Sequence, residues 1–314
     1  MIGLEISGGL GNQFFRYAYA RALYERRKEQ GKHDILIVNY GNIDNHGFAG
    51  SLHDFRILEH EAIHCHRLLP KYGSWAQLCA FGTFKILCRL FKGHPLARCR
   101  QRALSWLGVM VSESPDTEPT FTPPRTLNNV FVWGSFEHVR FSAGMKETLR
   151  REFTPRHAPL SENSALYDVI RSDNSVCLAV RRGDFMTDEN RRTFYVCDLL
   201  YFQRAVDYIQ AHVKNPVFVV FSNDIEWVKA NLNINGVVYY ESGKDPVWET
   251  FRLMSACRHF IVSNSTLHWW AQYMGEAKDK IVVAPDRWYN AKGWTEHLML
   301  DYFIRIPTGV PYTV

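Results

Sequence analysis

Strand-like and helix-like stretches alternate along this chain, and that alternation constrains its fold more than any other feature. In the second half, apolar runs at 176–180, 217–222, 237–240, 259–263 and 280–284 are separated by stretches of helical period at 198–213, 224–232, 246–257 and 265–274. Strands joined through helices make parallel sheets, because a parallel pair needs a long crossover. The run Ser175-Val-Cys-Leu-Ala-Val180 carries no charge, as expected of a strand covered on both faces. The N-terminus repeats the pattern: a strand at 1–7, the turn Gly8-Gly-Leu-Gly-Asn-Gln13, a helix at 14–30 and a strand at 34–39. A further strand is expected at 129–133 and a helix at 144–153. Pro155 and Pro159 mark 154–163 as a linker. The expectation is a doubly wound α/β protein with domains at 1–155 and 156–314.

In such sheets ligands sit beyond the carboxyl ends of the strands. Three strand ends here carry polar residues: Arg181, Arg182 and Asp184; then Ser222, Asn223 and Asp224; then Ser263, Asn264, Ser265 and Thr266. Two adjacent guanidiniums match phosphate oxygens, and a helix opening at Ser265 or Thr266 would offer backbone N–H groups to an anion. Each group read singly has a plainer explanation, a salt bridge or an ordinary helix cap. Together they favour a nucleotide diphosphate pocket. The turn Gly8–Gln13 is neither G-x-G-x-x-G nor a P-loop, so on its own it is only a tight turn that permits close backbone approach.

The chain's 314 residues are 46% hydrophobic, enough for two cores and too apolar for disorder. Charge is uneven. From 62 to 112 there are eight Lys or Arg and no Asp or Glu, leaving −3 for the rest of a chain whose net charge is +5. Within it, Phe84, Leu87, Cys88 and Phe91 have helical spacing, so 83–91 is expected to be a basic amphipathic helix. No nucleic-acid motif accompanies it, so no nucleic-acid partner is expected. Seven cysteines, an odd number without a C-x-x-C pair, are read as reduced thiols. No signal peptide is read at the start, and no run reaches the ~18 apolar residues of a membrane span. A cytoplasmic location is expected. No D-x-D pattern is present and the thirteen histidines are read as scattered, so no metal is expected, and no cofactor.

Gly8-Gly-Leu-Gly-Asn-Gln-Phe-Phe-Arg-Tyr-Ala18, Arg181-Arg-Gly-Asp-Phe185, Phe221-Ser-Asn-Asp-Ile-Glu-Trp-Val228 and the stretch from Phe251 to Ala271 together resemble glycosyltransferase family 11, the α-1,2-fucosyltransferases. The order and spacing fit nearly the whole chain, and the likeness is to the bacterial members. The resemblance implies a GT-B fold, two Rossmann-like domains facing across a cleft. The N-terminal domain would bind the acceptor, the C-terminal domain GDP-fucose, and the C-terminal tail would pack back on the N-terminal domain. It implies inverting, metal-independent transfer of fucose to the 2-hydroxyl of a terminal β-galactoside in O-antigen synthesis. The oligosaccharide acceptor would be carried on an anionic polyprenyl diphosphate lipid. The donor site would comprise Gly9, Gly11, Asn12, Gln13, Arg181, Arg182, Asp184, Ser222, Asp224, Ser263, Asn264, Ser265 and Thr266.

Arg181, then Arg182, are the candidates to stabilise departing GDP. Asp54 and Glu137 are the candidate bases for the acceptor hydroxyl, each with a structural carboxylate as the alternative. Two positions depart from the family pattern. Ala179 stands where the H-x-R-R-x-D motif has histidine, and Asn223 replaces the first aspartate of F-S-D-D. The first departure leaves open a non-catalytic, carbohydrate-binding relative. The basic segment 62–112 is either a solvated face over a core or a peripheral contact with the membrane, into which Phe81, Phe84, Leu87, Leu90 and Phe91 would insert.

Overall fold

A computed structural model describes residues 1–48, 50–90, 101, 103–112, 126–171, 174–290 and 296–310. The chain divides into two compact units, Met1–Phe153 and Thr154–Val314. Each is built on its own parallel sheet.

In the first unit, β1 (Ile2–Glu5), β2 (Leu36–Asn39), β3 (Glu61–Ile63), β4 (Val109–Ser112) and β5 (Val130–Gly134) lie in the order β3-β2-β1-β5-β4. Every pairing is parallel. The helix after β1 spans Leu10–Glu29 and so begins ahead of the expected start at 14. Gly8 adopts a left-handed conformation (φ 79°) and Gly9 an extended one, which turns the chain at once into the helix. Gly11, Asn12 and Gln13 are therefore its first turn and not part of a loop. Phe14 on this helix stacks on Phe153 at 3.9 Å and meets Phe55 edge-on at 5.0 Å.

The basic segment forms the helix Trp75–Leu90, which starts earlier than expected. Phe81 and Phe84 are buried against Leu68, Leu69, Val109 and Phe131, so neither is available to a bilayer. Burying a phenylalanine is worth roughly 1.5–3 kcal/mol, which holds these rings in the core. The side chains of Leu87, Arg89 and Leu90, and all of Phe91, Lys92, Arg98, Arg100 and Arg102, lie outside the description.

In the second unit, β6 (Ser175–Val180), β7 (Val217–Ser222), β8 (Val237–Tyr240), β9 (His259–Val262), β10 (Val282–Pro285) and β11 (Phe303–Ile306) form a sheet ordered β11-β10-β9-β6-β7-β8. All pairings are parallel. This is the dinucleotide-fold order, whose direction of winding reverses between β6 and β9. Strand β6 is buried along its whole length. Val176, Leu178 and Val180 pack on Tyr201, Phe202, Ala205, Val206 and Ile209 of the helix Leu199–His212.

The alternating strands and helices from 176 to 284 are all present, with ends moved by a residue or two. Three short strands were not anticipated: β3, β4 and β11. Phe303–Ile306 pairs with β10 and completes the second sheet.

Candidate anion site at the ends of β6, β7 and β9

Strands β6 and β9 part where the winding reverses, and the residues that follow them are joined by one hydroxyl. Ser263 Oγ accepts the Arg181 N–H at 2.9 Å and donates to the Ala179 carbonyl at 2.8 Å. On the other side of β6, Asn223 Oδ1 accepts the Arg182 N–H at 3.0 Å. The three polar strand ends singled out in the sequence are thus brought together.

The two arginines are held differently. Arg182 Nε is 3.1 Å from Asp224 Oδ2, and its guanidinium lies 3.7 Å from the centre of the Trp227 ring. Asp224 also caps the helix Ile225–Asn231, accepting from the Trp227 N–H at 3.3 Å. Arg182 is therefore fixed by a stack and an ion pair. Arg181 pairs, among the described residues, with nearby Asp184 at 2.7 Å, and its side chain is 38% exposed. It is the more accessible cation at the switch point. Ala179 is fully buried, so position 179 presents a methyl group inside the sheet.

Asn264 has a structural task. Its Nδ2 donates to the carbonyls of Phe194 and Trp288, both at 2.9 Å, and it is buried. Ser222 Oγ accepts from the Asp224 N–H at 2.9 Å. Ser265 is the N-cap of the helix Thr266–Met274 and makes no side-chain capping bond. His268, not singled out in the sequence, lies in the first turns of this helix. It is buried, and its Nδ1 has no hydrogen-bond partner among the described residues. Burial, with a smaller effect from the Arg181 charge, lowers its pKa to about 3, so the ring is neutral. A histidine one turn into a helix that opens a strand end was the available signal.

The remaining candidates lie in the first unit. Gln13 is fully buried. Its Nε2 donates to the carbonyls of Gly8 (3.0 Å) and Gly50 (3.2 Å), and its Oε1 accepts from the Leu52 N–H at 3.2 Å. It ties the β1 turn to a loop, with both Nε2 hydrogens on backbone carbonyls. Asn12 packs under Gly8, where a Cβ would come within 2.8 Å of its Nδ2. Gly9 has open space at its α-carbon.

Asp54 accepts the Ser51 N–H at 3.3 Å in a capping box. That geometry matches the structural alternative. Glu137 follows Phe136, a non-glycine residue at φ 55°, beyond the end of β5. The charge of Glu137 supports that of Arg16, whose pKa burial nonetheless lowers to about 10. Glu5, at the end of β1, is a further buried carboxylate that sequence reasoning passed over. Burial raises its pKa although it accepts from Asn39 Nδ2 at 2.7 Å. Among the described residues no group of three or more His, Cys, Asp or Glu is placed to hold a metal.

The family model described as "Glycosyl transferase family 11" matches residues 117–301. The chain belongs to glycosyltransferase family 11. An α-1,2-colitosyltransferase of Escherichia coli is 29% identical over 294 residues, covering 91% of this chain and 91% of that protein. The human galactoside α-(1,2)-fucosyltransferase 1 is 31% identical over 153 residues, 45% of this chain and 40% of that one. Among solved structures, the α-1,6-fucosyltransferase NodZ soaked with GDP-fucose aligns with a TM-score of 0.52 at 13% identity, over 87% of this chain and 91% of its own. At that identity the likeness speaks for the fold, and the family 11 chain has the GT-B fold of two Rossmann-like domains. No described helix is long and apolar enough to cross a membrane.

Proposed function

We propose that this family 11 glycosyltransferase transfers fucose from GDP-fucose to the 2-hydroxyl of a terminal β-galactoside, with inversion and without a metal, in O-antigen synthesis in the cytoplasm. The second unit binds the donor and the first unit the acceptor, an oligosaccharide on a lipid diphosphate. The observation that carries this reading is Arg181, an accessible guanidinium at the switch point of the second sheet beside a helix N-terminus.

As the bond from C1 to the β-phosphate oxygen breaks, its electron pair passes to that oxygen and charge grows on GDP. Arg181 leaves Asp184 for the β-phosphate, and the N–H groups of the helix Thr266–Met274 add to the field. Arg182, fixed on Trp227, holds the diphosphate in both ground and transition states. The acceptor oxygen attacks C1 from the opposite face and gives its proton to a carboxylate. Glu137, beyond the end of β5, and Asp54, in its capping box, are the candidates. The strained Phe136 beside Glu137 fits a working site.

Donor sugar is the point at which a second reading is favoured, by the 29% identity to an α-1,2-colitosyltransferase. Colitose is fucose without the 3-hydroxyl. A site that hydrogen-bonds that hydroxyl rejects the deoxy sugar by roughly 10⁴-fold, while a site shaped for the deoxy sugar rejects fucose by only ~10². Measuring kcat/KM with GDP-fucose and GDP-colitose on a β-galactoside therefore decides the donor. Turnover of neither, with acceptor binding retained, would favour the carbohydrate-binding relative that Ala179 leaves open.

A further inference from the structure

The helix Trp75–Leu90 packs Phe81 and Phe84 inward and, among its described side chains, exposes no charged residue. Its exposed positions are Trp75, Ala76, Cys79, Gly82, Thr83 and Ile86. A surface helix ordinarily sets charged side chains there. Trp75 is 83% exposed and Ile86 58%. A second tryptophan, Trp106, is 71% exposed. Its turn is docked at the start of this helix, because Gln77 Nε2 donates to the Leu107 carbonyl at 2.8 Å and Gln77 Oε1 accepts from the Ser74 N–H at 2.8 Å. Trp75 and Trp106 therefore flank one hydrogen bond and stand at the same end of the helix.

We propose that this face, anchored by Trp75 and Trp106, docks on an anionic phospholipid bilayer. Tryptophan favours the boundary between headgroups and chains, where its ring is half wetted. Charge selects the occupant. The segment 62–112 carries eight Lys or Arg and no acid, and exposed Lys71 stands just before the helix. An anionic surface complements that balance, whereas a second copy of the chain would bring like charges together. The anchors are not Phe81 and Phe84, which face the core. The inference is independent of the donor and acceptor assigned above.

Co-sedimentation of the full chain with phosphatidylglycerol–phosphatidylcholine vesicles, and with phosphatidylcholine alone, tests it. The chain should pellet with the anionic vesicles at low salt. It should be released as the screening length falls from ~30 Å at 0.01 M to ~3 Å at 1 M salt. Trp75→Ser/Trp106→Ser should lower the partition coefficient at least about tenfold, with far-UV circular dichroism and transfer to a water-soluble β-galactoside unchanged. Lys71→Glu, a milder surface change, should weaken binding to anionic vesicles alone. Three results would each overturn the proposal: no preference for anionic vesicles, undiminished binding by a folded double variant, or a wild-type dimer that the double variant abolishes.

Discussion

Arg181 and Arg182 are neighbours in the chain, yet what holds them sets their expected effects apart. Arg181→Ala removes an accessible cation whose ion pair among the described residues is with Asp184. It should cut kcat by roughly 10²–10³ with a smaller change in donor KM, the signature of an interaction made in the transition state. Arg182→Ala removes the Trp227 stack and the Asp224 pair. It should raise donor KM and lower the unfolding midpoint, with kcat less affected. Steady-state kinetics and urea titration on both variants separate the two, and near wild-type kcat for Arg181→Ala would remove it from the mechanism.

His268 makes a prediction of a different kind. Its folded pKa of about 3 lies below the ordinary 6.5, so the unfolded chain binds its proton first as pH falls. Stability is then complete above pH ~6.5 and declines below it by up to ~1.4 kcal/mol per pH unit. His268→Phe keeps a ring without the basic nitrogen and should flatten that slope. Urea midpoints of both proteins from pH 7 to pH 4 are the measurement, and equal slopes would place the acid sensitivity elsewhere.

At the scale of elements, the turns after β1 and β6 do different work. Gln13 braces the first turn with three hydrogen bonds to backbone. Gln13→Ala should cost roughly 2–3 kcal/mol of stability, because buried N–H and C=O groups lose their partner. It should leave donor KM unchanged in the folded protein, which a ligand role for the amide would not allow. The turn after β6 is closed by contact with the next turn. A Cβ on Gly183 would fall 2.0 Å from Asn223 Nδ2, and Asn223 holds the Arg182 N–H. Gly183→Ala should displace that contact and raise donor KM with little loss of global stability. A wild-type KM would show that the donor does not use this turn.

For the whole molecule, the proposed division of labour assigns leaving-group charge to Arg181, Arg182 and a helix N-terminus. Transfer in EDTA should then match transfer in magnesium. A loss above about tenfold on chelation, equivalent to ~1.4 kcal/mol of barrier, that a divalent ion restores would refute that assignment. The second unit has the dinucleotide order and the first winds β3-β2-β1-β5-β4.

The sequence by itself determined the α/β class, the parallel alternation from 176 to 284 and the clustering of Arg181, Arg182, Asp224 and Ser263 at strand ends. These follow from hydrophobic period and from the rule that strand ends bear ligands, both local or topological properties. Three-residue β3 and four-residue β4 and β11 were illegible, since runs that short have no period of their own and become strands only when a neighbour supplies the ladder. Tertiary structure alone decided which polar residues are spent. Gln13 and Asn264 look like ligand residues in a motif, but burial aims their amides at backbone carbonyls. Burial likewise turned Phe81 and Phe84 inward and left Trp75 and Trp106 outside, because a helix with apolar residues on more than one side takes its inner face from the surface it packs on.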